Sequence, residues 1–164
     1  MRTSIILLAA LVGLAACSKE SSSNGEIAAP NSSSASRDPQ QAFQWGPAPA
    51  VFPPGAEMAV LQGDPSTTAE FTVRLRLPNG YKLPPHTHPT TENVTVITGT
   101  FLAGMGGTFN EATMTRFGQG DFISVPDNHA HYAMARGQTI VQVHAMGPFA
   151  LTYVNPADTP NAAR

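Results

Sequence analysis

From Glu70 to Leu77 the chain alternates. Phe71, Val73, Leu75 and Leu77 are apolar, and Glu70, Thr72, Arg74 and Arg76 stand between them. A period of two puts successive side chains on opposite faces of an extended strand, so this stretch predicts a half-buried β-strand. Val94 to Ile97, Phe122 to Val125 and Thr139 to Val143 are further short runs rich in β-branched and aromatic residues. The runs are bounded by P-N-G, T-G-T, G-M-G-G, G-Q-G-D, P-D-N and R-G-Q, all of them turn chemistry. Short strands between frequent turns predict an all-β sandwich or barrel. No helix longer than a turn or two is expected, although Asn110 to Arg116 has room for a short helical turn.

Composition sharpens this picture. At 164 residues the chain has the length of about one domain. Its 15 prolines and 14 glycines favour turns over long helices. A formal net charge of −2 offers no basic face and excludes nucleic acid as an expected partner.

The first residues belong to a different regime. Arg2 precedes an apolar run from Ile5 to Leu14, too short to span a bilayer and flanked as an export signal is. It ends in Leu14-Ala15-Ala16-Cys17, which resembles the bacterial lipobox. That resemblance implies a lipidated Cys17 at the start of the mature chain, and Ser18 after it implies outer-membrane sorting, on the periplasmic side, in a Gram-negative bacterium. The plainer alternative is an ordinary secretory signal with a stray cysteine. Cys17 is the only cysteine, so the mature chain has no internal disulfide. Residues 18–42 are rich in Ser, Asn, Ala and Pro and read as a flexible tether. The folded domain is expected over residues 43–157, with a tail over 158–164.

The candidate chemistry starts at Gly80, in G-Y-K-L-P-P-H-T-H-P-T-T-E-N-V-T-V-I-T-G. In an extended strand His86 and His88 point to one side, and Glu92 has the same parity, with Pro89 interrupting the backbone between them. Two imidazoles and a carboxylate on one face suit a divalent transition metal. An H-x-H pair in a strand is equally compatible with a solvated or structural role. Downstream, G-D-F-I-S-V-P-D-N-H-A-H offers His129 and His131, which share parity, as further ligands.

These two stretches resemble the two motifs of the cupins. The first, G-x5-H-x-H-x3-4-E-x6-G, is met by Gly80, His86, His88, Glu92 and Gly99. The second, G-x5-P-x-G-x2-H-x3-N, is met by Gly120, Pro126 and His131. Asn128 stands where the turn glycine is usual, a mild change because Asn tolerates a left-handed turn. Ala135 stands where asparagine is usual. The resemblance spans about Phe43 to Asn155 and is similar to the small bacterial single-domain cupins. It implies a single cupin barrel, a double-stranded β-helix or jelly roll, with His86, His88, Glu92 and His131 binding one divalent transition metal. Motif spacing selects His131 over His129, which is left for the rim. Iron or manganese is favoured, with nickel, copper and zinc as the other candidates. On an octahedral ion two positions stay open for water, dioxygen or a chelating substrate. The glycines Gly99 and Gly120 are expected at strand ends, where the barrel turns. A homodimer through N-terminal strands, with Trp45 on one of them, is a further implication.

His144 and Gln142 share one face of the fourth strand run, and Arg74 lies on the polar face of the first. If those faces line the cavity, these residues are candidates to touch substrate or support the metal. Otherwise they are ordinary strand and surface side chains. Two functions follow. One is an enzyme acting on a small oxygenated molecule, by dioxygenase-like chemistry or Lewis-acid isomerisation or lyase chemistry, with Glu92 shifting between ligand and base. The other is a binding or sensing module for a small ligand or a metal. Convergence of His144, Gln142 and Arg74 on the metal favours catalysis, and their pointing away favours binding.

Overall fold

The computed structural model describes residues 43–160. The alternating stretch is β3 (Glu70–Leu77), and around it lie β1 (Gly46–Pro47), β2 (Glu57–Gln62), β4 (Lys82–Thr87), β5 (Glu92–Met105), β6 (Thr115–Phe117), β7 (Phe122–Val125), β8 (His131–Met146) and β9 (Thr152–Tyr153). Single 3-10 turns occupy Glu111–Thr113, within the stretch where a helical turn was expected, and Pro156–Asp158. Every recorded strand pairing is antiparallel, as the period-two patterning of half-buried strands favours.

The β5 and β8 strands are 14 and 16 residues long and form the frame of the barrel. T-G-T and R-G-Q, expected as turns, lie inside these strands rather than between them. The register of β5 against β8 shifts between Val96 and Thr98 and again between Thr98 and Thr100. Each strand therefore bends without breaking its ladder, as bulges allow. The first half of β5 pairs with β7 and with the end of β8; its second half pairs with β6 and with the start of β8. In turn β8 pairs with β4 through its start and with β3 through its end. Two long bent strands thus serve two groups of short ones, and the sheet curls into a barrel.

The bend needs Gly99. Its φ is +84°, and a Cβ there would lie 2.5 Å from the Gln138 carbonyl oxygen and 2.7 Å from Thr139 Oγ1. Gly99 therefore sits within a strand, not at a strand end as expected. Thr139 ties the two bends together: its fully buried hydroxyl donates to Thr100 O at 3.0 Å and accepts from Thr100 N at 3.2 Å. The core fills the curl with the inward set of each strand, including Phe71, Val73, Leu75, Val94, Val96, Val141 and Val143. Trp45 and Phe43 lie on the outer surface instead, where Arg76 and Arg74 stack on their rings at 3.9 and 4.5 Å. Met105 and Phe122 are exposed despite their apolar side chains.

Candidate metal centre

His86 lies near the end of β4, His88 just beyond it, Glu92 opens β5 and His131 opens β8. Glu92 thus comes from a different strand than His86, delivered by the turn through Pro89 rather than by strand parity alone. His86 and His131 are register partners across β4 and β8. All four residues are buried, and one ligand atom from each of the three histidines lies within 4.8 Å of the other two.

The backbone sets the tautomer of each ring. Nδ1 of His86 meets Pro84 O at 2.7 Å, Nδ1 of His88 meets Ala150 O at 2.7 Å, and Nδ1 of His131 meets His129 O at 3.0 Å. A carbonyl only accepts, so each Nδ1 carries a hydrogen, and in its neutral form each ring presents a bare Nε2 lone pair. Oε2 of Glu92 lies 3.4 Å from Nε2 of His131 and 3.6 Å from Nε2 of His88. In that form a carboxylate facing the lone pairs is repulsive until a proton or a metal cation lies between them. Among the described residues, Nε2 of His88 is the one buried side-chain polar atom with no hydrogen-bond partner. The donor set of three imidazole nitrogens and a carboxylate oxygen fits a divalent transition metal.

The electrostatics agree. Burial, with the neighbouring His131 and His88, lowers His86 to about 3, so the ring is neutral and free to donate its lone pair. Burial pushes the Glu92 carboxyl up, but a hydrogen bond from His131 and the positive charge that His88 and the other two rings bring when protonated outweigh this and hold it below the ordinary value. Glu92 is therefore ionised.

The turn before β8 is built around Asn128, the one non-glycine residue with positive φ among those described, at +57°. This is the place where the cupin motif has glycine, and Asn meets the same backbone demand. The Asn128 backbone N–H donates to His88 O at 2.8 Å, joining the turn to the neighbouring histidine segment. His129 is exposed on this turn, with Nδ1 donating to Asp127 O at 3.0 Å; its carbonyl, not its ring, reaches the site.

The other candidates do not come to the site. Odd-numbered Val141, Val143 and Ala145 face inward from β8, so Gln142 and His144 face out. His144 is exposed and its Nδ1 lies 3.0 Å from Thr72 Oγ1. Gln142 Oε1 accepts from Arg74 Nε at 3.2 Å on the same outer face. The physical reason is the strict two-residue period of a half-buried strand, which had left the choice of face open. Sequence reading missed Phe149, whose ring stacks on His88 at 5.3 Å and 14°, and the adjacent Ala150 carbonyl. Both follow β8 in an irregular segment with no periodic signal.

Residues 39–150 match the family model described as the ChrR Cupin-like domain. The chain belongs to this cupin family. No curated protein matches it. Among solved structures it is similar to the polyketide cyclase RemF from Streptomyces resistomycificus, at 16% identity and a TM-score of 0.59, over 72% of this chain and 84% of that one. It is also similar to the DMSP lyase DddQ from Ruegeria pomeroyi DSS-3, at 20% identity and a TM-score of 0.55, over 74% and 64%. An RmlC-like cupin from Shewanella frigidimarina NCIMB 400 matches at 16% identity and a TM-score of 0.50, over 63% and 83%. At these identities the likeness is one of fold.

Proposed function

We propose that this cupin binds one divalent transition metal through Nε2 of His86, His88 and His131 and the Glu92 carboxylate, and presents it to a small molecule in the barrel. The observation that carries the reading is the bare, buried Nε2 of His88 facing an ionised Glu92, with all three imidazoles locked by carbonyls into the tautomer a metal needs. The metal, iron or manganese by family analogy, would supply Lewis acidity or a site for dioxygen.

The chain's own residues bound what happens there. The carbonyls of Pro84, Ala150 and His129 orient the rings, and Phe149 covers His88. Glu92 is the one carboxylate on the cavity lining. Arg74, Gln142 and His144 lie off the cavity, so no further group converges on the metal. That favours the binding or sensing reading over catalysis, and confines any catalysis to steps that Glu92 and the metal manage alone.

The reading extends to location. The L-A-A-C ending at Cys17 supports a lipid anchor on the periplasmic side of the outer membrane, with residues 18–42 as tether; these residues lie outside those described. Labelled palmitate should be incorporated by the full chain and not by Cys17→Ala. The metal reading is tested by mass spectrometry of the purified domain beside a His86→Ala/His131→Ala double variant. One equivalent of metal in the wild type, absent from the variant, is expected. A wild type that stays metal-free after reconstitution overturns it.

A further inference from the structure

Given the metal centre proposed above, on which this step rests, we infer that the cavity takes a short aliphatic monocarboxylate, with its carboxylate at the histidine cluster and its chain against the hydrocarbon wall. The first reason is where polarity is missing. Beyond the histidines, Glu92 and Tyr81 the lining is apolar, with Leu75, Leu77, Val94, Val141 and Val143 and the thioether of Met134. The one other polar side chain on the lining is Tyr81, and its hydroxyl already donates to Pro53 O at 2.9 Å. A ligand hydroxyl, amide or second charge set against this wall finds no partner, which weakens binding by about 10- to 100-fold. Sugar acids and other polyhydroxy ligands are therefore disfavoured.

The second reason is charge. A divalent ion with three neutral imidazoles and one carboxylate carries a net +1 in an apolar enclosure. One further negative charge cancels it, whereas a neutral head leaves it uncompensated. The third is size. The cavity is narrow, so a ligand that also meets the histidine cluster has room for a short chain only, of about four carbons.

Phe52 sets that length. It lies on the segment between β1 and β2, is 4% exposed and closes part of the cavity wall. Its segment is held from two sides, by Tyr81 Oη donating to Pro53 O at 2.9 Å and Tyr153 Oη donating to Val51 O at 2.8 Å. Its ring rests against Phe149, with centroids 6.0 Å apart.

The test is calorimetric titration of the metal-loaded protein with acetate, propionate, butyrate, pentanoate and hexanoate, beside 1-butanol and gluconate. Affinity should rise about fourfold per added methylene up to about four carbons and then fall. Butanol should bind at least about 10-fold more weakly than butyrate, and gluconate should not bind detectably. Phe52→Ala, with metal content unchanged, should move the optimum to a longer chain. Val143→Thr keeps the wall's shape and adds a hydroxyl, and should weaken butyrate about 10-fold; it decides the matter if Phe52→Ala does not fold. A flat series, or gluconate binding as tightly as butyrate, with one equivalent of metal in place, overturns the ligand class and leaves the metal centre standing. A wild type that takes up no metal overturns both.

Discussion

The β8 strand carries two histidines with opposite fates. His131, at its start, faces inward, is 5% exposed and has its Nδ1 satisfied by a carbonyl, so that Nε2 points to Glu92. His144, near its end, faces outward, and its nearest side-chain partner is the Thr72 hydroxyl on the neighbouring strand. Residue type, strand and fold are the same; parity alone separates a ligand candidate from a surface group. Past the bend the alternation is clear, with Val141, Val143 and Ala145 buried and His144 exposed, whereas the first part of β8 is buried on both faces, Tyr132 and Met134 included. The chemistry of this protein therefore follows the face of the sheet a side chain occupies.

The sharpest way to break that contrast is to remove each histidine in turn. His131→Ala should lower metal affinity by at least about 100-fold, since it deletes a direct donor where losing an outer-shell partner alone costs about 10–100-fold. His144→Ala should leave affinity within about threefold, the latitude of a surface change away from the metal. Equal losses in a competition titration would mean that the outer histidine belongs to the site after all.

The same contrast runs along β3, with a smaller effect read in stability. Phe71 is fully buried, and Phe71→Ala should cost about 3–5 kcal/mol in chemical denaturation through the cavity it leaves. Thr72→Ala, on the outer face, loses one hydrogen bond to His144 and should cost about 1 kcal/mol.

Acid provides a third comparison. His86 is lowered to about 3 by burial and by its histidine neighbours, against an ordinary value of 6.5. The unfolded chain therefore binds a proton there before the folded one does. Its contribution is fully present above pH 6.5 and is lost as pH falls towards 3, at up to about 1.4 kcal/mol per pH unit. Metal-free wild type should show this loss in urea melts across pH 6.5 to 4. His86→Gln should lose less over the same range, and parallel slopes in the two proteins would refute the assignment to His86. The smallest effect belongs to the outer surface: Arg76→Ala breaks a half-exposed pair with Glu57 at 2.7 Å and a contact with the Trp45 ring, and should cost about 1 kcal/mol or less, readable as a small shift in Tm.

Much of the site was legible in advance because its parts are local. His86, His88 and Glu92 lie within seven residues, and Asn128 and His131 within four, so spacing and turn chemistry describe each piece. The ends of β5 and β8 were harder to read. T-G-T and R-G-Q have the composition of turns, and a glycine at φ +84° usually ends a strand. Here the ladder continues across them, because β5 and β8 bend together and the buried Thr139 hydroxyl bonds across the two bends. Phe52, Phe149 and the Ala150 carbonyl were not legible, since they reach the site from irregular segments remote in sequence.

By itself the sequence determined the fold class, the family and the residues able to ligate a metal, since these rest on period-two patterning, turn residues and short motifs encoded within a few residues of one another. Only the tertiary structure decided which face of β8 became the interior, and with it the separation of His131 from His144 and Gln142. It also decided that Glu92 meets His131 across the barrel, and that the Ala150 carbonyl, 62 residues along the chain from His88, holds that imidazole in place. Those outcomes depend on which strands pair and how far they bend, and pairing is a property of the whole sheet that no single stretch contains.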